Sequence, residues 1–232
     1  MGNAKIIPAG FGLPLVLALL AAVAGGAGQE LVEGGSAAWD FSRLGELLAA
    51  ALEAGFVEEI LFRGVLLWSC LSWARSFSQR EASCALFRNP ARFAMVASSL
   101  VFGLFHLLPD GPLLQSGADV GIAAVQALLK VAQSTFFGLV MAMLVLRSPF
   151  DRLPQPRRSF ALAVPIAFHS LFDLLYWGPL MLSGSALPST YLTGDAAELI
   201  PLVAVTTLLG LAALLAGRRL VPSSKVLSGF SS

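Results

Sequence analysis

Apolar residues do not alternate with polar ones along this chain; they come in long runs. Ile6–Ala27, Leu44–Trp73, Phe93–Leu108, Val120–Leu146, Phe160–Leu182 and Leu199–Ala216 are dominated by Leu, Ala, Val and Phe. Short segments rich in Gly, Pro, Ser and charge separate them. At ~1.5 Å per residue most of these runs are long enough to cross a hydrocarbon layer of ~30 Å. The pattern predicts an all-α, polytopic membrane helical bundle of about six transmembrane helices, forming one domain over residues 1–232. The second run exceeds what a bilayer needs and should tilt or project beyond it. Ala22-Val23-Ala24 is a small-x-small triplet of the kind a signal peptidase accepts, but the run that holds it has full spanning length, so a retained first span is expected. Pro109 should end span three, and Pro165 should kink span five. Gln126, Lys130 and Gln133 give span four one polar face, which should point inward.

Composition agrees with the pattern. The chain is 56% hydrophobic and 12% charged, against about 25% charged in a typical soluble domain. A net charge of +1 and the lack of a basic, aromatic-interleaved patch give no sign of a nucleic-acid partner. Cys70 and Cys84 form neither a metal-type spacing nor a disulfide framework. The bases set a topology. Arg75, Arg80, Arg88 and Arg92 follow span two, Arg147, Arg152, Arg157 and Arg158 follow span four, and Arg218, Arg219 and Lys225 follow span six. The other loops carry mainly acids: Glu30, Glu33, Asp40, Asp110, Asp119, Asp195 and Glu198, with Arg43 the exception. The positive-inside rule then places both termini in the cytoplasm. An Arg-over-Lys, Ala- and Leu-rich composition looks like GC-rich bacterial coding, which points to a bacterial inner membrane.

Against this background a few ionisable residues stand out. Glu58, Glu59 and Arg63 interrupt the second run, His106 ends the third, and His169 and Asp173 lie inside the fifth; the chain has no other histidine. An ionisable group at the centre of a lipid-embedded helix costs roughly 2.5–3.5 kcal/mol even on the mildest scale. Glu59 and Arg63 are four apart and share a helix face, while Glu58 lies about 100° round. One carboxylate can be neutralised while the other stays available. His169 and Asp173 are also one turn apart, so the carboxylate can fix the imidazole tautomer. An ion-paired packing cluster would use the same residue types. If the three spans converge on one polar cavity, however, a glutamate with a histidine can activate water and a protonated histidine can stabilise an oxyanion, the requirements of peptide-bond hydrolysis. Glu58, His106 and His169 are also ligands of the kind a catalytic zinc uses, although no His-Glu-x-x-His run is present.

Glu58-Glu59-x-x-x-Arg63, Phe102-x-x-x-His106 and His169-x-x-x-Asp173, in this order and on separate spans, resemble the motifs of the CPBP intramembrane proteases. That family includes type II CAAX prenyl endopeptidases and bacteriocin-processing and self-immunity proteins. The resemblance covers about the middle half of the chain, with a catalytic core of about 44–183. It implies that Glu58 and His106 activate the attacking water, that His169 and residue 173 stabilise the oxyanion, and that Glu59 and Arg63 support the site. Position 173 is often Asn in the family and is Asp here. An ionised carboxylate cannot donate to an oxyanion, so Asp173 is expected to orient His169 and keep it charged, or to be protonated itself.

The reading favoured is a metal-free intramembrane endopeptidase without a cofactor, zinc being the alternative. Its partners would be the lipid bilayer and a membrane protein or lipid-linked peptide substrate. A non-catalytic immunity or regulatory protein of the same fold and a small proton-coupled transporter are the competing classes.

Overall fold

The computed structural model describes residues 11–33, 39–80, 89–108, 113–146, 162–184 and 192–218. They form helices α1 (Gly12–Glu33), α2 (Leu44–Glu58), α3 (Leu67–Arg80), α4 (Pro90–Phe105), α5 (Val120–Leu146), α6 (Ala163–Leu182) and α7 (Leu199–Arg218). A π-helical segment, Glu59–Leu66, joins α2 to α3 without a break, so the seven labels trace six rods. No strand occurs among the described residues; one isolated bridge pairs Leu114 with Leu192. The chain is an all-α membrane bundle.

Its surface is inverted relative to a water-soluble protein. Ile200, Leu128, Leu13 and Leu52 are 78, 71, 59 and 56% exposed, whereas Glu59 and Arg63 are 0 and 2% exposed. Apolar side chains facing outward on every rod and charges facing inward are what a lipid solvent selects. Gly12–Val32, Val120–Leu146 and Ala196–Arg218 are long and apolar enough to cross a bilayer by composition alone, and Pro90–Phe105 is a shorter apolar helix. The rods that fall short, α2–α3 and α6, are those that carry the buried charges.

α1 packs on α6 and α7, α5 on α4 and α7, α2 on α6, and α3 on α4. Small residues let these backbones approach. Ala18, Ala21 and Ala22 of α1 are fully buried, with Val205, Leu209 and Ala212 of α7 in the same core. The small triplet at Ala22 thus belongs to a packed interface. α1 begins at Gly12 and continues to Glu33, past the expected end at Ala27, because its glycines are contact points. A Cβ on Gly26 would lie 2.6 Å from the Leu175 carbonyl and one on Gly28 2.5 Å from Pro201 Cβ.

Two further expectations are corrected. Pro165 occupies the third residue of α6, where a backbone N–H has no intrahelical partner, so it costs no hydrogen bond and the helix starts at Ala163. The proline inside α6 is Pro179. α4 ends at Phe105, three residues before the expected end, because His106 caps it. Pro109 lies outside the described residues, as do Lys5, Cys84, the basic loop after α5 and the tail beyond Arg218.

One end of the bundle gathers three loops. The Asp40 N–H donates to the Leu182 carbonyl (2.7 Å), Arg43 Nη1 to the Met181 carbonyl (2.7 Å), and Leu192 pairs with residues 113–115. Gln126 of α5 ties this end together: its Nε2 donates to Thr193 Oγ1 (3.1 Å), the Asp195 carbonyl (3.0 Å) and Glu198 Oε2 (3.3 Å), and its Oε1 accepts from the Gly194 N–H (3.0 Å). The inward polar face of span four is therefore real at Gln126, which is buried.

Candidate active site

The rod built from α2 and α3 changes partners at the π-helical segment. Above it α2 packs on α6; below it α3 packs on α4; the segment itself touches α4, α5 and α6. Segments of this kind recur at functional sites because the wider turn re-aims the side chains beside it. Here the turn directs Glu59, Phe62 and Arg63 into the bundle while Ile60 and Leu61 stay on the lipid side. Two glycines set the distance at which neighbouring helices stand. A Cβ on Gly55 would collide with Ser170 Oγ and lie 2.9 Å from the Ser170 nitrogen. One on Gly103 would collide with Thr135 Oγ1 and lie 2.7 Å from the Val131 carbonyl. α6 is thereby drawn against α2 one residue after His169, and α5 against α4 three residues before His106.

All six residues singled out from the sequence come together. Glu59 Oε1 lies 3.0 Å from Arg63 Nη1 and 2.8 Å from His169 Nδ1. A carboxylate only accepts, so Nδ1 of His169 carries the proton and Nε2 faces the cavity. There it lies 3.7 Å from Glu58 Oε2 and 3.6 Å from Asp173 Oδ2. The group that orients His169 is thus Glu59 on another helix, rather than Asp173 one turn along, whose Oδ2 is buried without a hydrogen-bond partner. His106 Nδ1 donates to the Phe102 carbonyl at 2.9 Å. That bond leaves His106 Nε2 directed at Glu58 Oε2, 4.0 Å away. Glu58 Oε2 is also buried and unpartnered. Glu58 and His106 keep 26% of their side-chain surface open, against 5% for His169 and 0% for Glu59. The site therefore has a closed floor and an open side.

Aromatic rings wall the floor. The Arg63 guanidinium stacks over Phe102 at 4.3 Å from the ring centroid, a cation–π contact worth most where water is excluded. Phe102 also meets His106 edge to face at 4.5 Å, and Phe62 at 4.9 Å. Phe137 of α5 packs on His169 at 4.8 Å and on Phe172 at 4.6 Å. The sequence flagged Phe102 only as a motif letter and Phe137 not at all; in an apolar run a phenylalanine carries no mark of what it touches.

The depth of the site follows from helix lengths. His106 stands at the end of α4, yet reaches Glu58, which follows about 21 Å of α2 at ~1.5 Å per residue. α4 therefore ends level with Glu58, part-way along the bundle. As arranged, the described residues contain no set of three His, Cys, Asp or Glu donors suited to hold a metal ion.

The family model for type II CAAX prenyl endopeptidase Rce1-like proteins matches residues 40–175. The chain belongs to that family. The match begins just before α2, ends two residues after Asp173, and so encloses every residue of the site in this Rce1-like chain. No curated protein and no solved structure matches it significantly. Membership brings the CAAX-protease type of membrane fold to a chain whose family is, in general, one of proteases.

Proposed function

We propose that this Rce1-like protein is an intramembrane endopeptidase that hydrolyses a peptide bond in a membrane-associated protein or lipid-linked peptide. The observation that carries the reading is the approach of Glu58 Oε2 to both imidazole Nε2 atoms, at 4.0 Å and 3.7 Å. Those gaps are too wide for direct hydrogen bonds and suit one water, or one substrate oxygen, between the groups.

In the proposed reaction a water held between Glu58 and His106 loses its proton to Glu58 as the oxygen attacks the scissile carbonyl carbon. His106, fixed by the Phe102 carbonyl, orients that water through its Nε2. The carbonyl oxygen, now negative, receives a hydrogen bond from Nε2–H of His169, whose cationic form Glu59 stabilises across the 2.8 Å bond. Arg63 balances Glu59 and holds it in place. Asp173, 3.6 Å from the same nitrogen, donates to the oxyanion in its protonated form. The proton on Glu58 passes to the leaving amine as the C–N bond breaks. No metal or other cofactor takes part in this scheme.

The proposed domain is single, with its core at about 44–183. The proposed location is a bacterial inner membrane with both termini cytoplasmic. Support for that topology comes from the base-poor loops around residues 39–43, 113–119 and 192–198, which meet at one end of the bundle. The test is cleavage of a fluorogenic farnesylated peptide by the full-length protein in liposomes. Glu58→Ala and His169→Ala should each lower the rate by about 10²–10⁴-fold, and chelator should leave the wild-type rate unchanged. Full activity in both variants would leave a non-catalytic regulator as the better reading, and chelator-sensitive cleavage would return the zinc mechanism.

A further inference from the structure

Tyr176 is a polar residue inside the bundle that this mechanism does not use. His169, Phe172, Asp173 and Tyr176 stand at i, i+3, i+4 and i+7 on α6 and share one inward face. Long helical side chains lean toward the helix N-terminus, here toward His169. The Tyr176 ring accordingly stacks on Phe172, one turn back, with centroids 5.9 Å apart and planes at 12°. On α1 a Cβ at Gly25 would collide with the same ring. Gln29, one turn along α1, donates from Nε2 to the Tyr176 hydroxyl oxygen at 3.0 Å. Gln133 of α5 is hydrogen-bonded to that hydroxyl too, and since its Oε1 has no partner, its Nε2 is the donor. α1, α5 and α6 thus meet at one phenol, between the level of His169 and the loop end. Neither Gln29 nor Tyr176 falls within the residues that the family model matches.

Acceptors outnumber donors here. Both amides direct an N–H at the phenol, while Gln29 Oε1, Gln133 Oε1 and Asp173 Oδ2 are buried without a hydrogen-bond partner. Asp173 as a whole is 6% exposed. Buried acceptors of this kind call for a small donor that can reach several of them at once. Gln133 lies on the face of α5 turned away from the lipid-facing Leu128, yet Gln133, Gln29 and Tyr176 are each only partly buried. An accessible side chain on an inward face marks space within the bundle. We propose that Gln29, Gln133 and Tyr176 hold internal water, and that this water bonds Asp173 Oδ2 and keeps its carboxyl turned toward His169. Water donates to a carboxylate and accepts from a protonated carboxyl, so one site serves Asp173 in both states. Tyr176 is then a positioning residue that acts through the water and Asp173. Its effect on the reaction rests on the protease reading above; the water site does not.

The experiment has two arms, both on the full-length protein in liposomes. The first is radiolytic hydroxyl-radical labelling, whose radicals form from water beside the side chain they modify. Tyr176 should be labelled, as should the exposed Phe41 at the loop end, while the lipid-facing Phe56 should not. Gln29→Leu combined with Gln133→Leu should stop labelling of Tyr176. The second arm is cleavage of the farnesylated peptide. Tyr176→Phe should lower kcat by about threefold to tenfold at unchanged KM, the worth of one hydrogen bond. In an Asp173→Ala background the same change should cost nothing further, whereas a clasp that only fastened helices would lower the rate in both. An unlabelled Tyr176, or an equal loss in the Asp173→Ala background, would overturn the proposal while leaving the protease reading intact. Failure of the wild type to cleave would sink the protease reading instead, and the labelling, which needs no substrate, would still decide the water site. Should Tyr176→Phe fail to fold, labelling of the wild type decides.

Discussion

The α1–α7 pair and the α2–α6 pair solve the same packing problem with different chemistry. Between α1 and α7 the described residues make close apolar contact: Ala18, Ala21 and Ala22 share a core with Val205, Leu209 and Ala212, and Gly28 stands against Pro201. Between α2 and α6 the approach is as tight at Gly55 and Ser170, but the next turn holds Glu58, Glu59, His169 and Asp173. Lipid offers helices no hydrophobic force to associate, so packing must supply it in both pairs. The charges are therefore not what fastens α2 to α6. They are mounted on a contact that small residues had already made, and part of their surface is kept for something else.

The sharpest way to break the comparison is Arg63→Met. Removing one member of a buried ion pair destabilises by about 3–5 kcal/mol because the other charge is stranded, so thermal unfolding in detergent should fall steeply and cleavage should cease. Adding Glu59→Gln should restore much of the stability and none of the activity. No substitution on the α1–α7 side should separate the two quantities in this way. Next comes Gly55→Val against Gly28→Val. Each overpacks a helix contact, at a cost of about 1–3 kcal/mol. Only the first displaces α6 from Glu58, so only it should lower kcat by tenfold or more beyond its effect on stability. Phe102→Leu should have a smaller effect, since the aromatic platform under Arg63 is worth about 0.5–2 kcal/mol; assays should show a several-fold loss of rate. Asp173→Asn should have the least effect, with cleavage within about threefold of wild type, because an amide donates as a protonated carboxyl does. Asp173→Ala, which cannot donate, should lose about tenfold.

The same contrast explains what was legible in the sequence. The rods were, because hydrocarbon imposes one requirement on every residue of a span; the expected bounds of α5 hold at both ends. The six polar residues were visible for the same reason, as ionisable groups where lipid tolerates almost none. Bends and ends were not. The first span was expected to end at Ala27, but the helix runs on past Gly28, and that Gly25, Gly26 and Gly28 are contact points depends on Tyr176, Leu175 and Pro201 far along the chain. The π-helical segment leaves no periodic trace in eight residues. The bond from Glu59 to His169 spans 110 positions of sequence, and nothing local to either residue announces it.

α4 has 16 residues, a column of about 24 Å against hydrocarbon of about 30 Å. Thinning of the bilayer is one way to meet so short a wall. Thinning on the flank where Glu58 and His106 are open would, in the proposed reaction, lower a peptide bond at the headgroup surface toward them. For the proposed hydrolysis, the length of one helix would then set how near the interface, with its water, comes to the two carboxylate-facing imidazoles.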